Sequence, residues 1–243
     1  MNNYRSLLLI CLIVLPVFIT GCSDRDVSGD QPVAIESCFV KQGSCQCGPT
    51  SFYMIFKFYG DNRVDTGFWD LPDCGTEYSL KEDLSVVEKT SLVSRWLGVT
   101  CGLIDGEIIA GITIKNLNRK IMNLTADKVN PYYSVESNTD NSVDNSSQFA
   151  VINNSFLQQQ VPVIIHLDRP SPYTGHFMIL AGYDSASGIV YYMDPNKKES
   201  DPVLQSVSLT DFLDSNWYVS PDESSTNPDA YWDGTWIGFI HAE

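Results

Sequence analysis

Two hydrophobic periodicities divide the chain. From Gly48 to Tyr59, Phe52, Ile55, Phe56 and Tyr59 recur three and four positions apart, while Tyr53, Met54 and Phe58 fill the other faces. That spacing predicts an α-helix apolar on most sides, and therefore buried. Pro49 suits its first turn, where no N–H is needed, and Gly60 can end it. Asp61 to Gly75 is loop-like, and helices are expected around Lys81 to Leu97 and Ile114 to Val129. Ser134 to Gln148 is almost all Ser, Asn, Asp and Val, which predicts an exposed, mobile loop. A helix is expected over Phe149 to Gln160. Beyond it the pattern changes to β-branched and aromatic runs, at Val161–Leu167, Phe177–Tyr183, Ile189–Met193 and Trp236–His241. Ser185-Ala186-Ser187-Gly188 between the second and third reads as a hairpin turn. Helices first and antiparallel strands second describe an α+β domain with segregated halves.

The N-terminus carries a different signal. Arg5, then the apolar run Leu7 to Ile19, then Ile19-Thr20-Gly21-Cys22 read as a signal peptide too short for a comfortable membrane span. The cysteine after Gly21 makes residues 1–21 resemble a bacterial lipoprotein signal, with Cys22 as the lipidated first residue of the mature chain. Ser23 rather than Asp after Cys22 favours an outer membrane. Residues 22–34 then form a polar tether, and 35–243 one domain with a sizeable core. The formal net charge of −15 argues against nucleic acid and against anionic lipid surfaces. Membrane contact would fall to the lipid on Cys22.

Of seven cysteines, Cys11 leaves with the signal and Cys22 is lipidated. Cys38, Cys45, Cys47, Cys74 and Cys101 remain, an odd number for an oxidising compartment. One free thiol and up to two disulfides are expected. Cys38 with Cys45 and Cys74 with Cys101 is one arrangement; the pairing stays open, as does the option that some are unpaired buried thiols. Zinc is not expected, because Cys45-x-Cys47 lacks a paired C-x-x-C partner. No metal or cofactor is called for.

Cys47 is the candidate free thiol. It opens Cys47-Gly48-Pro49-Thr50 at the start of the buried helix, where the helix dipole favours thiolate. A thiol nucleophile requires a base and an orienting group. His176, in Gly175-His176-Phe177, starts a strand beside a polar loop and is the candidate base. His166 lies inside a strand and reads as structural; His241, near the end of the chain, reads as structural or exposed. Asp194 closes the next strand before Pro195, and folding the hairpin back returns it toward His176 as the orienting carboxylate. Asp184, at the far end of the hairpin, reads as a turn residue.

Gln-x-x-x-x-Cys-Gly-Pro-Thr, a helix ending Phe-Tyr-Gly, Pro-Val-Ile-Ile-His, Gly-His-Phe-Met-Ile-Leu-Ala-Gly-Tyr-Asp and Met-Asp-Pro together resemble the bacteriocin-processing peptidases, papain-like cysteine peptidases that remove double-glycine leaders. Leu209 to Trp217 is similar to that family's closing segment. The resemblance implies a papain-like α+β fold and a nucleophile at Cys47, a base at His176 and an acid at Asp194. It also implies a glutamine oxyanion donor, for which Gln42 is preferred and Gln46 is the alternative. The chain looks like a free-standing, lipid-anchored version acting on a peptide or protein. A transpeptidase using the same site and an inactive, membrane-tethered binding module are the competing functions. A cell-wall endopeptidase matches less well, since those enzymes carry a different cysteine motif and a histidine as third member.

Overall fold

The computed structural model describes residues 32–42, 47–60, 114, 118, 133–169, 175–221 and 228–241, and the backbone of 101–104 and 107–110. The expected helix over Lys81–Leu97 lies outside these residues, as does most of that over Ile114–Val129. The signal, the tether up to residue 31 and Cys22 lie outside them too.

A six-stranded antiparallel sheet is the frame. In chain order its strands are β3 (Tyr133–Asn138), β4 (Val163–Asp168), β5 (His176–Asp184), β6 (Ile189–Met193), β7 (Gln205–Ser208) and β8 (Tyr231–His241). In space they run β3-β8-β4-β5-β6-β7. A separate hairpin pairs β1 (Cys101–Ile104) with β2 (Glu107–Ala110). Among the described residues the helices with assigned bounds are α1 (Cys47–Phe58), α2 (Asn145–Ser155) and α3 (Leu209–Asp214), with short 3-10 turns at Glu36–Cys38 and Leu157–Gln159.

Alternation along the strands gives the sheet two apolar faces. Ile164, Phe177, Ile179, Met193, Ile237 and Phe239 face α1, which buries Phe52, Met54, Ile55 and Phe56 against them. Phe56 meets Tyr133 and Phe239 edge to face, at 5.1 and 5.5 Å between ring centroids. Val163, Ile165, Leu167, Met178, Leu180 and Trp232 point the other way, against Phe149, Ile152 and Phe156 of α2 and its end and Phe212 of α3. The sheet is thus covered on both faces, and the helices are not confined to the first half of the chain.

The segment read as a loop over Ser134–Gln148 is ordered secondary structure at both ends. Its first residues form edge strand β3, paired with β8 from Tyr133↔His241 to Asn138↔Trp236. Its polar residues face solvent, as an edge strand allows, and the backbone of β8 supplies the pairing that weak local propensity does not. Its last residues belong to α2. That helix starts at Asn145 rather than Phe149 because the Asp144 carboxylate caps it, accepting from the Ser147 N–H at 2.8 Å.

Strand β8 begins five residues before the expected run. Its register against β4 slips between Ile165 and Leu167. Gly234 lies in the slip at φ +79°, and a Cβ there would stand 2.7 Å from Asn145 Oδ1. The kink breaks the alternation that would have marked the strand's start.

Candidate active site

Helix α1 places Cys47 at its first turn, half-buried. The Cys47 thiol bonds to His176, and the backbone N–H groups of Phe177 and Gly48 also point to its sulfur. His176 is the first residue of β5, and Asp194 follows the last residue of β6. The two strands pair Ile179 with Met193. Continuing that register sets Asp194 opposite Met178, on the same sheet face as His176 and diagonal to it. The two side chains meet: His176 Nε2 lies 2.7 Å from Asp194 Oδ1. A hairpin geometry thus converts an 18-residue separation into one hydrogen bond.

Both members are nearly dry, with His176 7 % and Asp194 1 % exposed. Burial disfavours charge on each, and their partners overcome it. Burial lowers the imidazole, but the Asp194 charge, the Asp194 hydrogen bond and Cys47 together push His176 up to about 10. Burial raises the thiol, but the hydrogen bond and charge of His176, with the two backbone N–H groups, hold Cys47 below its ordinary 9.0. Burial also raises Asp194, and it is overcome by His176, the Asn196 N–H and the Tyr218 hydroxyl, which leave the carboxyl below its ordinary 3.8. These directions agree on a thiolate beside an imidazolium backed by a carboxylate.

Gln42 reaches the same neighbourhood. Its backbone N–H donates to Pro195 O at 2.9 Å, one residue from Asp194. Lys41 ties the same segments together, its Nζ donating to Asn196 O at 3.3 Å and to Lys197 O. The Gln42 amide oxygen is buried and has no hydrogen-bond partner among the described residues. Gln46 lies outside the described residues.

The remaining candidates have ordinary roles. Asp184 closes the β5–β6 turn, accepting from Ala186 N–H at 3.0 Å and Ser187 Oγ at 2.5 Å. His166 bonds through Nδ1 to Asp233 Oδ2 at 2.7 Å. The backbone of His241 pairs with Tyr133 at the end of β8. Cys38 is a free, buried thiol packed with Val33, Ile35 and Val40. Cys38 enters no disulfide with a described residue, its side chain being turned into the core. Cys45 and Cys74 lie outside the described residues.

One residue at the site was not anticipated. Tyr218, between α3 and β8, donates its hydroxyl to Asp194 Oδ2 at 2.8 Å. Its ring lies nearly parallel to the His176 imidazole, 5.3 Å between centroids and 14° between planes. No motif or periodicity marks it in the sequence.

Residues 37–224 match the family model of the Peptidase_C39 like family, a span holding Cys47, His176, Asp194, Gln42 and Tyr218. The chain belongs to this family. No curated protein matches it. Membership of the Peptidase_C39 like family is membership of a group of papain-like cysteine peptidases, and the α+β architecture described above accords with it.

Proposed function

We propose that the protein is an active cysteine peptidase that hydrolyses a peptide bond of a peptide or protein substrate through Cys47, His176 and Asp194. The observation that carries this reading is the unbroken chain from the Cys47 thiol through the His176 ring to the Asp194 carboxylate. The Cys47 thiolate attacks the scissile carbonyl carbon, and the carbonyl electron pair moves onto oxygen. Gln42 and backbone N–H groups at the start of α1 receive that oxyanion. The His176 imidazolium then gives its proton to the leaving amine as the C–N bond breaks, leaving a thioester on Cys47. Neutral His176 takes a proton from water, the hydroxide attacks the thioester, and the C–S bond breaks to release the acid. Asp194 holds the ring with Nε2–H toward itself, which frees Nδ1 to exchange the proton with sulfur and substrate.

The lipid anchor belongs to the same proposal. Cys22 would hold the domain on the outer side of a bacterial membrane, with an outer membrane favoured. A Cys22→Ser protein should leave the membrane fraction yet keep its thiol chemistry; retention in that fraction would count against the anchor.

Labelling with a thiol-reactive, peptide-like probe tests the chemistry. Cys47 should be labelled far faster than Cys38, and His176→Ala should abolish the difference. Equal labelling of both thiols, unchanged by His176→Ala, would instead fit a peptidase-like binding module without catalysis. A transpeptidase would show itself by joining an added amine to the acyl product.

A further inference from the structure

Asp194 has more to satisfy than one imidazole. Its Oδ1 accepts from His176 Nε2 at 2.7 Å and from the Asn196 N–H at 2.7 Å. Its Oδ2 accepts from Tyr218 at 2.8 Å, the donor to that oxygen among the described residues. With Asp194 only 1 % exposed, water cannot replace a lost donor at little cost. Oδ1 is fixed by two groups on its own side; the carboxylate's rotation about its side chain is fixed by the third, on Oδ2.

Tyr218 is itself held in place. It is 5 % exposed. Its backbone pairs with Ala230, accepting from that N–H at 3.3 Å and donating to its carbonyl at 3.2 Å. Trp217 packs against the ring at 6.0 Å between centroids. The ring then covers the flat face of His176, excluding water from the His176–Asp194 bond. One side chain therefore touches two members of the triad in two different ways.

We propose that Tyr218 is a positioning residue for the triad: its hydroxyl locks the Asp194 carboxylate in the plane that meets His176, and its ring shields that contact from water. The proposal rests on the peptidase reading of Cys47, His176 and Asp194. Tyr218 acts through Asp194 and touches no substrate in the chemistry above. The other titratable groups facing this cluster are Tyr192, whose hydroxyl bonds Gln205, Arg169, paired with Asp229 at 3.5 Å, and Asp201, which feels Tyr192. None of them donates to Asp194 Oδ2.

The test uses the whole protein and a small neutral reagent, iodoacetamide, so no substrate need be known. The alkylation rate of Cys47, read by mass spectrometry of its own peptide, is followed against pH. Wild type should show thiolate below pH 9.0. Tyr218→Phe keeps the ring and volume but loses the donor, and should move that acid limb upward by about half a unit or more. In an Asp194→Asn background, Tyr218→Phe should add no further shift, because the two residues act as one unit. An unchanged limb in Tyr218→Phe, or an equal shift with and without Asp194, would overturn the proposal. So would a rapidly exchanging Tyr218 hydroxyl proton in the wild type by NMR, a measurement that needs no variant to fold. If wild-type Cys47 titrates as an ordinary thiol, the peptidase reading itself fails, and Tyr218 has no triad to position.

Discussion

His176, Cys47 and Asp194 each favour a charged form that burial alone would oppose. His176 is rescued by Asp194 and Cys47, Cys47 by His176 and the Phe177 and Gly48 N–H groups, and Asp194 by His176, the Asn196 N–H and Tyr218. This gives the pair a distinctive pH signature. The raised His176 pKa contributes stability that is full below the ordinary 6.5 and lost as pH rises through about 10. The lowered Cys47 pKa contributes stability that is full above 9.0 and lost as pH falls through its folded value. Within the range 6.5 to 9.0, once the pH is above the lowered folded value of Cys47, the folded pair holds one proton on His176 and the unfolded pair holds one on Cys47, so the two slopes cancel. Urea unfolding should therefore show no slope from the pair in that window. Cys47→Ser removes the compensation, so its stability should fall steadily as pH rises from 6.5; a variant as flat as wild type would refute the ion pair. Gly175 belongs to the same scale. A Cβ on it would stand 2.1 Å from His166 Nε2 and 2.4 Å from Leu167 O, one residue before His176. Gly175→Ala must shift backbone, and should cost about 1–3 kcal/mol in urea unfolding and sharply slow Cys47 labelling. At this scale the meeting of His176 and Asp194 was legible because each sat at an element end with the chemistry the other needed. Tyr218 was not legible, because its position depends on the pairing with Ala230, which nothing local announces.

The elements were legible where their own sequence decides them. Strand β6 matches its apolar run at both ends, and α1 starts one residue before the expected Gly48 and ends at Phe58. They were illegible where a neighbour decides. Edge strands β3 and β7 are short and polar, and each exists because an adjacent strand offers it a ladder. The early start of β8 hides behind the kink at Gly234. Helix α1 has two tasks, since its apolar sides fill the core while its first turn carries the thiol. Phe52 ties them together through Phe56 at 4.4 Å and Phe239 at 5.8 Å between centroids. Phe52→Ala should cost about 3–5 kcal/mol of unfolding free energy by urea titration. Loss of under about 1 kcal/mol would mean the core does not hold the helix as described.

For the molecule as a whole, the sheet is the device that makes the site. Cys47 comes from a helix on one face, His176 and Asp194 from two adjacent strand ends, and Tyr218 from the chain entering β8. Sequence order predicts the β5–β6 hairpin but not the strand order, in which the last strand inserts between β3 and β4. That insertion closes the core and brings Ala230 to Tyr218, whose hydroxyl bonds Asp194. The strongly negative net charge of −15 leaves this architecture untouched and bears only on partners.

The central claim is that Cys47, His176 and Asp194 form one working peptidase site. Its most direct test is turnover of a diverse peptide mixture, with new termini identified by mass spectrometry, using wild type, Cys47→Ala and His176→Ala side by side. The account predicts cleavage by wild type, none by Cys47→Ala, and a rate lower by at least about a hundredfold in His176→Ala. Cleavage that persists in Cys47→Ala, or a wild-type rate unchanged by His176→Ala, would contradict it.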